Sequence, residues 1–275
     1  MYMKNYVKAL EFFKNANLIQ RHDATYMQIA KVYTLQDNFK EAIEVYLEAL
    51  EYSPENAEIL TTLGLLYVRL GENYRAFDFL GNSLTHDPKN PKTILAAGSI
   101  IQDHNDMDVA LVKYRIAAVA TPNSAQLWNN IGMCFFGKQR HVAAIACLRR
   151  ASNLDPFEWI ISYNLGLVHL TTQQYASAFH FLSASINLKP DFASSYMYLG
   201  ITLSKLEDFS NACAAYEKAI ELENTDHVVF LNFAIMLFKY GKSDQSLNNF
   251  HKFQKIWASL DPEVKAGVCV FLLLF

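Results

Sequence analysis

Bulky apolar and very small side chains recur along this chain in a register that repeats every 34 residues. Numbering each unit from residue 23, position seven carries Leu63 and Ile131, and position 11 carries Tyr67 and Phe135. Position 24 carries Tyr46, Leu80, Tyr114, Leu148, Leu182 and Tyr216. Position eight reads Ala30, Gly64, Gly98, Gly132, Gly166, Gly200 and Ala234, whereas position 20 reads Ala42, Ala76, Ala110, Ala144, Ala178, Ala212 and Ser246. Position 27 is again small, from Ala49 and Ser83 through Ala117, Ala151, Ser185 and Ala219, before Phe253 breaks the series. Apolar spacings of three, four and seven mark one face of a helix, so each unit predicts two helices. Asp37, Gly71, Asn105 and Gly241 stand at position 15, residue types that tolerate a turn between helices. Pro54, Pro88, Pro122, Pro156 and Pro190 stand at position 32, where the missing N–H ends the second helix. The two helices are expected to cross closely at positions eight and 20, a contact that offsets glycine's helix cost of about 1 kcal/mol.

A fixed period of this length signals a repeat array, and this pattern is identified as that of the tetratricopeptide (TPR) superfamily. The expected fold is all-α: a TPR right-handed superhelix, or α-solenoid, of about seven helix-turn-helix repeats. The repeats are expected at 23–56, 57–90, 91–124, 125–158, 159–192, 193–226 and 227–260. Residues 1–22 are expected to be the second helix of an incomplete N-terminal repeat, with Ala9, Phe13 and Ala16 on a face left without its partner. Residues 261–275 are expected to be a C-terminal tail or a partial capping helix. A lone helix pair cannot bury enough apolar surface to offset the entropy of ordering it, so stacking of neighbours is required. First helices then line the concave wall of the superhelix and second helices the convex one.

Composition narrows the chemistry. Hydrophobic residues make up 52% of the chain, which excludes a disordered linker. A net charge of −3 speaks against a nucleic-acid partner and against a polybasic membrane-surface role. No run reaches the roughly 18 apolar residues of a membrane span. Cys134, Cys147, Cys213 and Cys269 form no CxxC pair and read as reduced thiols. The histidines show no metal spacing, no glycine-rich phosphate loop is present, and the repeats leave no length for a catalytic domain. Neither catalytic, metal nor cofactor residues are therefore predicted. His169 replaces an aromatic at position 11 and is expected to pack. Arg149, Arg150, Lys138 and Arg140 make only small basic spots.

The candidate binding surface lies at the concave positions five, nine and 12 of the fourth and fifth repeats: Asn129, Met133 and Phe136, then Tyr163, Leu167 and Leu170. A solvated wall would not present three such apolar side chains together, so the alternatives are an apolar groove for a partner segment or burial against neighbouring turns. A chaperone-tail clamp needs Lys at position five with Asn at position nine, and Met27/Lys31, Thr61/Leu65, Leu95/Ser99 and Asn129/Met133 all fail that test.

Four segments go beyond the generic repeat: EYSPENAEILTTLGLLYVRLG (51–71), ILAAGSIIQDHNDMDVALVKYR (94–115), LWNNIGMCFFGKQRHVAAIACLRRA (127–151) and YNLGLVHLTTQQYASAFHFLSASIN (163–187). They resemble the Bardet–Biedl syndrome 4 family, a TPR subunit of the BBSome. The resemblance implies a non-enzymatic scaffold that takes part in moving membrane proteins into and out of cilia and in cilium assembly. It implies other BBSome subunits, the pericentriolar material 1 scaffold and dynactin as partners. Cytoplasm, cilium, basal body, centrosome and centriolar satellites are the implied locations. A generic TPR scaffold or co-chaperone outside the cilium is the alternative. Family members carry further N-terminal repeats and a polar tail, whereas this chain begins inside a repeat and ends GVCVFLLLF.

Overall fold

A computed structural model describes residues 6–260. Its described residues form helices joined by short turns, without strands. After α1 (Tyr6–Ile19) come α2 (Asp23–Leu35) and α3 (Phe39–Tyr52), α4 (Ala57–Arg69) and α5 (Asn73–His86), α6 (Pro91–Asp103) and α7 (Met107–Ala120). These belong to one compact unit, Met1–Pro122. The second unit, Asn123–Phe275, holds α8 (Ala125–Gly137) and α9 (His141–Leu154), α10 (Trp159–Thr171) and α11 (Tyr175–Leu188), α12 (Ala193–Lys205) and α13 (Phe209–Leu222), α14 (His227–Lys239) and α15 (Ser243–Ser259). The expected capping segment, 261–275, lies outside the described residues.

Local signals set the helix ends. Asn56 and Asn90 each accept hydrogen bonds from two backbone N–H groups of the helix that follows, and Pro91 occupies the first turn of α6. The turn within each pair is built on one residue with positive φ: Asp37, Gly71, Asn105, Gln139, Gln173, Glu207 and Gly241, between 58° and 76°. In the first pair the Asp37 N–H donates to the Thr34 carbonyl and the Asn38 N–H to the Tyr33 carbonyl, a Schellman motif that satisfies the end of α2. The last three non-glycine members, Gln139, Gln173 and Glu207, complete the 34-residue register although their side chains carry no turn preference.

The close crossing differs in detail from the expectation. A Cβ built on Gly132 would lie 2.8 Å from Leu148 Cγ and 3.3 Å from the Ala144 carbonyl. On Gly98 it would meet the Tyr114 ring, with Cζ at 2.7 Å. The position-24 side chain, not the position-20 alanine, therefore lies directly over each glycine. Alanine at position 20 is fully buried in the first six pairs, from Ala42 to Ala212, and lets that side chain reach across.

Packing between successive pairs shows a chemical match. Ala49, Ala151 and Ala219 share core clusters with Ile59, Ile161 and Val229. Where position 27 is serine, its partner is instead a hydroxyl: Ser185 Oγ lies 3.1 Å from Ser195 Oγ, and Ser83 joins Thr61 and Thr93 in a buried cluster. Ser195→Val is expected to strand the Ser185 hydroxyl and to cost about 1–3 kcal/mol. Adding Ser185→Ala should recover most of that loss, because both partners are then apolar. Urea denaturation of the two single variants and the double variant checks this.

In α1, Ala9 and Phe13 are half-buried and Ala16 is exposed, and α1 packs on α2. The matching face of α3, formed by Ala42, Tyr46 and Ala49, is buried.

Candidate binding surface

The six residues expected on the concave wall sit on α8 and α10, within the second unit. Asn129 is buried, and its Oδ1 accepts from Asn164 Nδ2 at 2.8 Å, which ties α8 to α10. Met133 and Phe136 pack against a core of Ala144, Leu148, Ala151, Ile161, Leu165 and Val168, with Phe136 tilted over His141 at 5.9 Å. Leu170 is only 4% exposed and belongs to the core shared with Leu182, Met197 and Tyr216. Tyr163 and Leu167 pack against that same core and remain half-buried. Of the two alternatives, burial against the neighbouring helix pair holds at two of the six positions. Asn129 and Leu170 offer no surface, because the next helix pair covers them. Met133, Phe136, Tyr163 and Leu167 retain an exposed edge.

Tyr163 is held on several sides. Its ring stands edge-on to Phe192 at 5.2 Å and to Tyr198 at 5.9 Å, and Trp159 lies 4.7 Å from Phe192. Lys189 Nζ sits 4.4 Å above the Trp159 ring. Burial pushes the Tyr163 phenol well above its ordinary range, helped by the neighbouring Tyr198 and by the negative charge of Asp226. These phenols stay protonated, and the rim is a rigid apolar edge with hydroxyl tips.

The remaining candidates have packing roles. Burial drives the Cys134 thiol to about 12, and raises Cys147 and Cys213 as well, so none is a ready nucleophile. Arg150 lies 3.9 Å over the Trp128 ring, which accounts for one of the basic spots. His169 is 2% exposed and stacks on Phe181 at 5.3 Å, with Nδ1 2.8 Å from Gln174 Oε1. Gln174 Oε1 can only accept, so the hydrogen sits on Nδ1 and Nε2 is left buried and bare. Desolvation lowers the His169 pKa from 6.5 and the Arg149 charge adds to this, against the opposing effect of the hydrogen bond that His169 donates to Gln174. A lowered folded-state pKa means the unfolded chain takes up the proton first. Stability is therefore complete above pH 6.5 and declines as pH falls below it. His169→Phe should flatten that decline in thermal melts between pH 7 and about 5.

A second apolar surface lies in the first unit, on the face formed by second helices of the repeats. Two adjoining cavities of about 380 and 300 Å³ form a trough between α5 and α7, with α6 as its floor. Tyr74, Phe77, Gly81 and Leu84 make one wall, Ile101 the floor, and Val109 and Lys113 the other wall. From Val109 an aliphatic ridge continues along α7 through Val112, Ile116 and Val119, all exposed. The equivalent residues of α3 are Glu41, Glu44, Glu48 and Glu51, and those of α15 are Gln245, Asn248, Lys252 and Lys255. That contrast at fixed register was readable from the sequence.

Family models described as TPR repeat and tetratricopeptide repeat match residues 30–71, 95–156, 143–191 and 193–226. The chain is 52% identical over 255 residues to BBSome complex member BBS4 of Bos taurus, which covers 93% of this chain and 49% of the relative. It is 53% identical to the Mus musculus protein of the same name, over 92% of this chain and 49% of that one. The chain thus spans about half the length of these curated relatives. In the solved APC/C hetero-tetramer Cut9-Hcn1, a chain 16% identical superposes with a TM-score of 0.76 over 94% of this chain and 51% of that one, a likeness of fold alone.

Proposed function

The chain belongs to the BBSome complex member BBS4 family, and from that premise we propose that it is a non-enzymatic scaffold that holds other BBSome subunits along its helical repeats. The observation that carries this reading is the identity of about one residue in two over nearly the whole chain, far more than a shared repeat fold requires. In this reading the chain serves the movement of membrane proteins into and out of cilia and cilium assembly. Its finer contacts are with the pericentriolar material 1 scaffold and dynactin, at centriolar satellites, the centrosome and the basal body. The rim of Met133, Phe136, Tyr163 and Leu167 receives a partner segment there, since these side chains combine an exposed edge with tight anchoring. Affinity purification of the tagged chain from ciliated cells should recover other BBSome subunits in near-stoichiometric amount. Phe136→Ser should lower that recovery while the far-UV CD spectrum stays helical. Recovery of chaperones alone would reject the assignment.

A further inference from the structure

Successive first helices of the second unit meet by a fixed offset. Asn164 Nδ2 donates to Asn129 Oδ1, the Tyr163 and Tyr198 rings stand 5.9 Å apart, and Asn232 Nδ2 lies 3.9 Å from Met197 Sδ. In each case position five of one first helix faces position six of the next, 35 residues on. Positions nine and 12 continue the same helical stripe. On α12 the stripe is Met197, Ile201 and Ser204, all buried, and α14 is packed against α12. On α14 it is Leu231, Ile235 and Phe238. Ile235 is 58% and Phe238 71% exposed, so this stripe stays open among the described residues.

The sequence that follows α15 carries the pattern of a covering helix, although residues 261–275 lie outside the described ones. Asp261 and Pro262 repeat the pair Asn90 and Pro91, the capping residue and first position of α6. With Pro262 as position one, Val264 and Val268 take the places of Ile59 and Leu63, and the small Cys269 takes that of Gly64. Positions six, ten and 13 are then Gly267, Phe271 and Leu274. The register has moved on by one for a visible reason. α15 has 17 residues where α13 has 14, and two residues instead of four precede the next helix start.

Geometry brings this segment to the stripe. The Trp257 ring lies 5.3 Å from His227, so the end of α15 stands beside the first turn of α14. The chain leaves α15 at Leu260 with ψ at 147°, an extended conformation. α14 runs parallel to α12, since Asn232 meets Met197 and Tyr240 meets Ser204. A helix from Pro262 in the same sense advances from Leu231 toward Phe238. Residues 262–275 give it about 21 Å, twice the roughly 10 Å from Leu231 to Phe238. Phe253 replaces the small residue of position 27 and leans on His227, which holds a following helix away from α15 and turns its contact to α14.

We infer that residues 262–275 form a helix that caps the array, parallel to α14, with Gly267 against Leu231, Phe271 against Ile235 and Leu274 against Phe238. Glycine at the first contact admits the Leu231 side chain, and the other two bury the most exposed part of the stripe. The cap is separate from the α8 and α10 rim, and it stands whether or not the chain is a BBSome subunit.

Oxidation of the full chain by diamide tests the contact. Ile235→Cys combined with Phe271→Cys should give a disulfide between the introduced thiols within one chain, read by mass spectrometry of tryptic peptides. Ile235→Cys alone should couple to the native Cys269 at least tenfold less, because position eight faces away from the preceding first helix. Phe238→Asp should lower the melting temperature of the full chain by about 3 °C or more. The same substitution should leave a chain ending at Asp261 unchanged, and that shorter chain should bind at least twofold more of an apolar dye. Equal coupling of Cys269 and of the thiol at position 271, or an equal effect of Phe238→Asp in both lengths, would overturn the inference. So would a disulfide found only between chains, which identifies a second copy as the occupant.

Discussion

Tyr163→Ala is expected to destabilise the protein by about 3 kcal/mol or more, whatever it does to partner binding. The ring is packed by Phe192, Tyr198 and Trp159 and joins the core of Leu182, Met197 and Tyr216. Truncation removes the aromatic contacts and leaves a cavity that three rigid rings cannot close. Tyr163→Phe keeps the ring and loses only the hydroxyl's hydrogen bond with Tyr198, so its cost should stay near 1 kcal/mol. Urea denaturation followed by CD, with an unchanged m-value, separates the two. Should both variants unfold alike, the hydroxyl rather than the ring holds this region. If both match the parent while losing partners, Tyr163 acts through its surface instead of its packing.

The repeat period, the helix pairs and the placement of small residues were legible because each is a steric requirement at one position. Only a residue without a side chain fits beneath Leu148, and that demand recurs with the period. The turns were legible where Asp37, Gly71, Asn105 and Gly241 stand, but not at Gln139, Gln173 and Glu207. There the Schellman hydrogen bonds and the packing of both helices impose a positive φ on residues with no preference for it.

The rim was half legible. Positions five, nine and 12 do fall on one face of the first helices, as helical geometry requires. Whether such a position is open depends on the pair that follows, which periodicity within one unit does not report. Asn129 is consumed by Asn164, and Leu170 by the core that includes Met197, so two of the six residues serve cohesion. The trough is illegible in the period for the opposite reason. The period draws attention to what every unit shares, whereas Gly81, Val112 and Val119 are informative because their counterparts are unlike them. A repeat protein writes its fold in the recurrent positions and its contacts in the exceptions.

Gly98 and Gly81 turn that distinction into numbers, since both lie inside helices of the first compact unit, Gly98 in α6 and Gly81 in α5. Gly98→Ala should cost about 2–3 kcal/mol, even though alanine is the better helix former. Its Cβ would press on the Tyr114 ring, with Cζ at 2.7 Å and the hydroxyl oxygen at 3.0 Å. Tyr114 is fully buried, and its hydroxyl reaches toward Gln102 Oε1 at 3.4 Å, so the ring cannot swing away without disturbing α6 and α7 together. Gly81→Ala should move the other way and gain about 0.5–1 kcal/mol, because open space lies above it and only glycine's helix penalty is removed. Opposite shifts of the melting temperature for the same substitution test both the crossing and the trough. A loss at both sites would mean that Gly81 already has a neighbour within the chain. Neutrality at Gly98 would mean that the helix pair separates freely, and close approach at position eight would no longer account for its glycines.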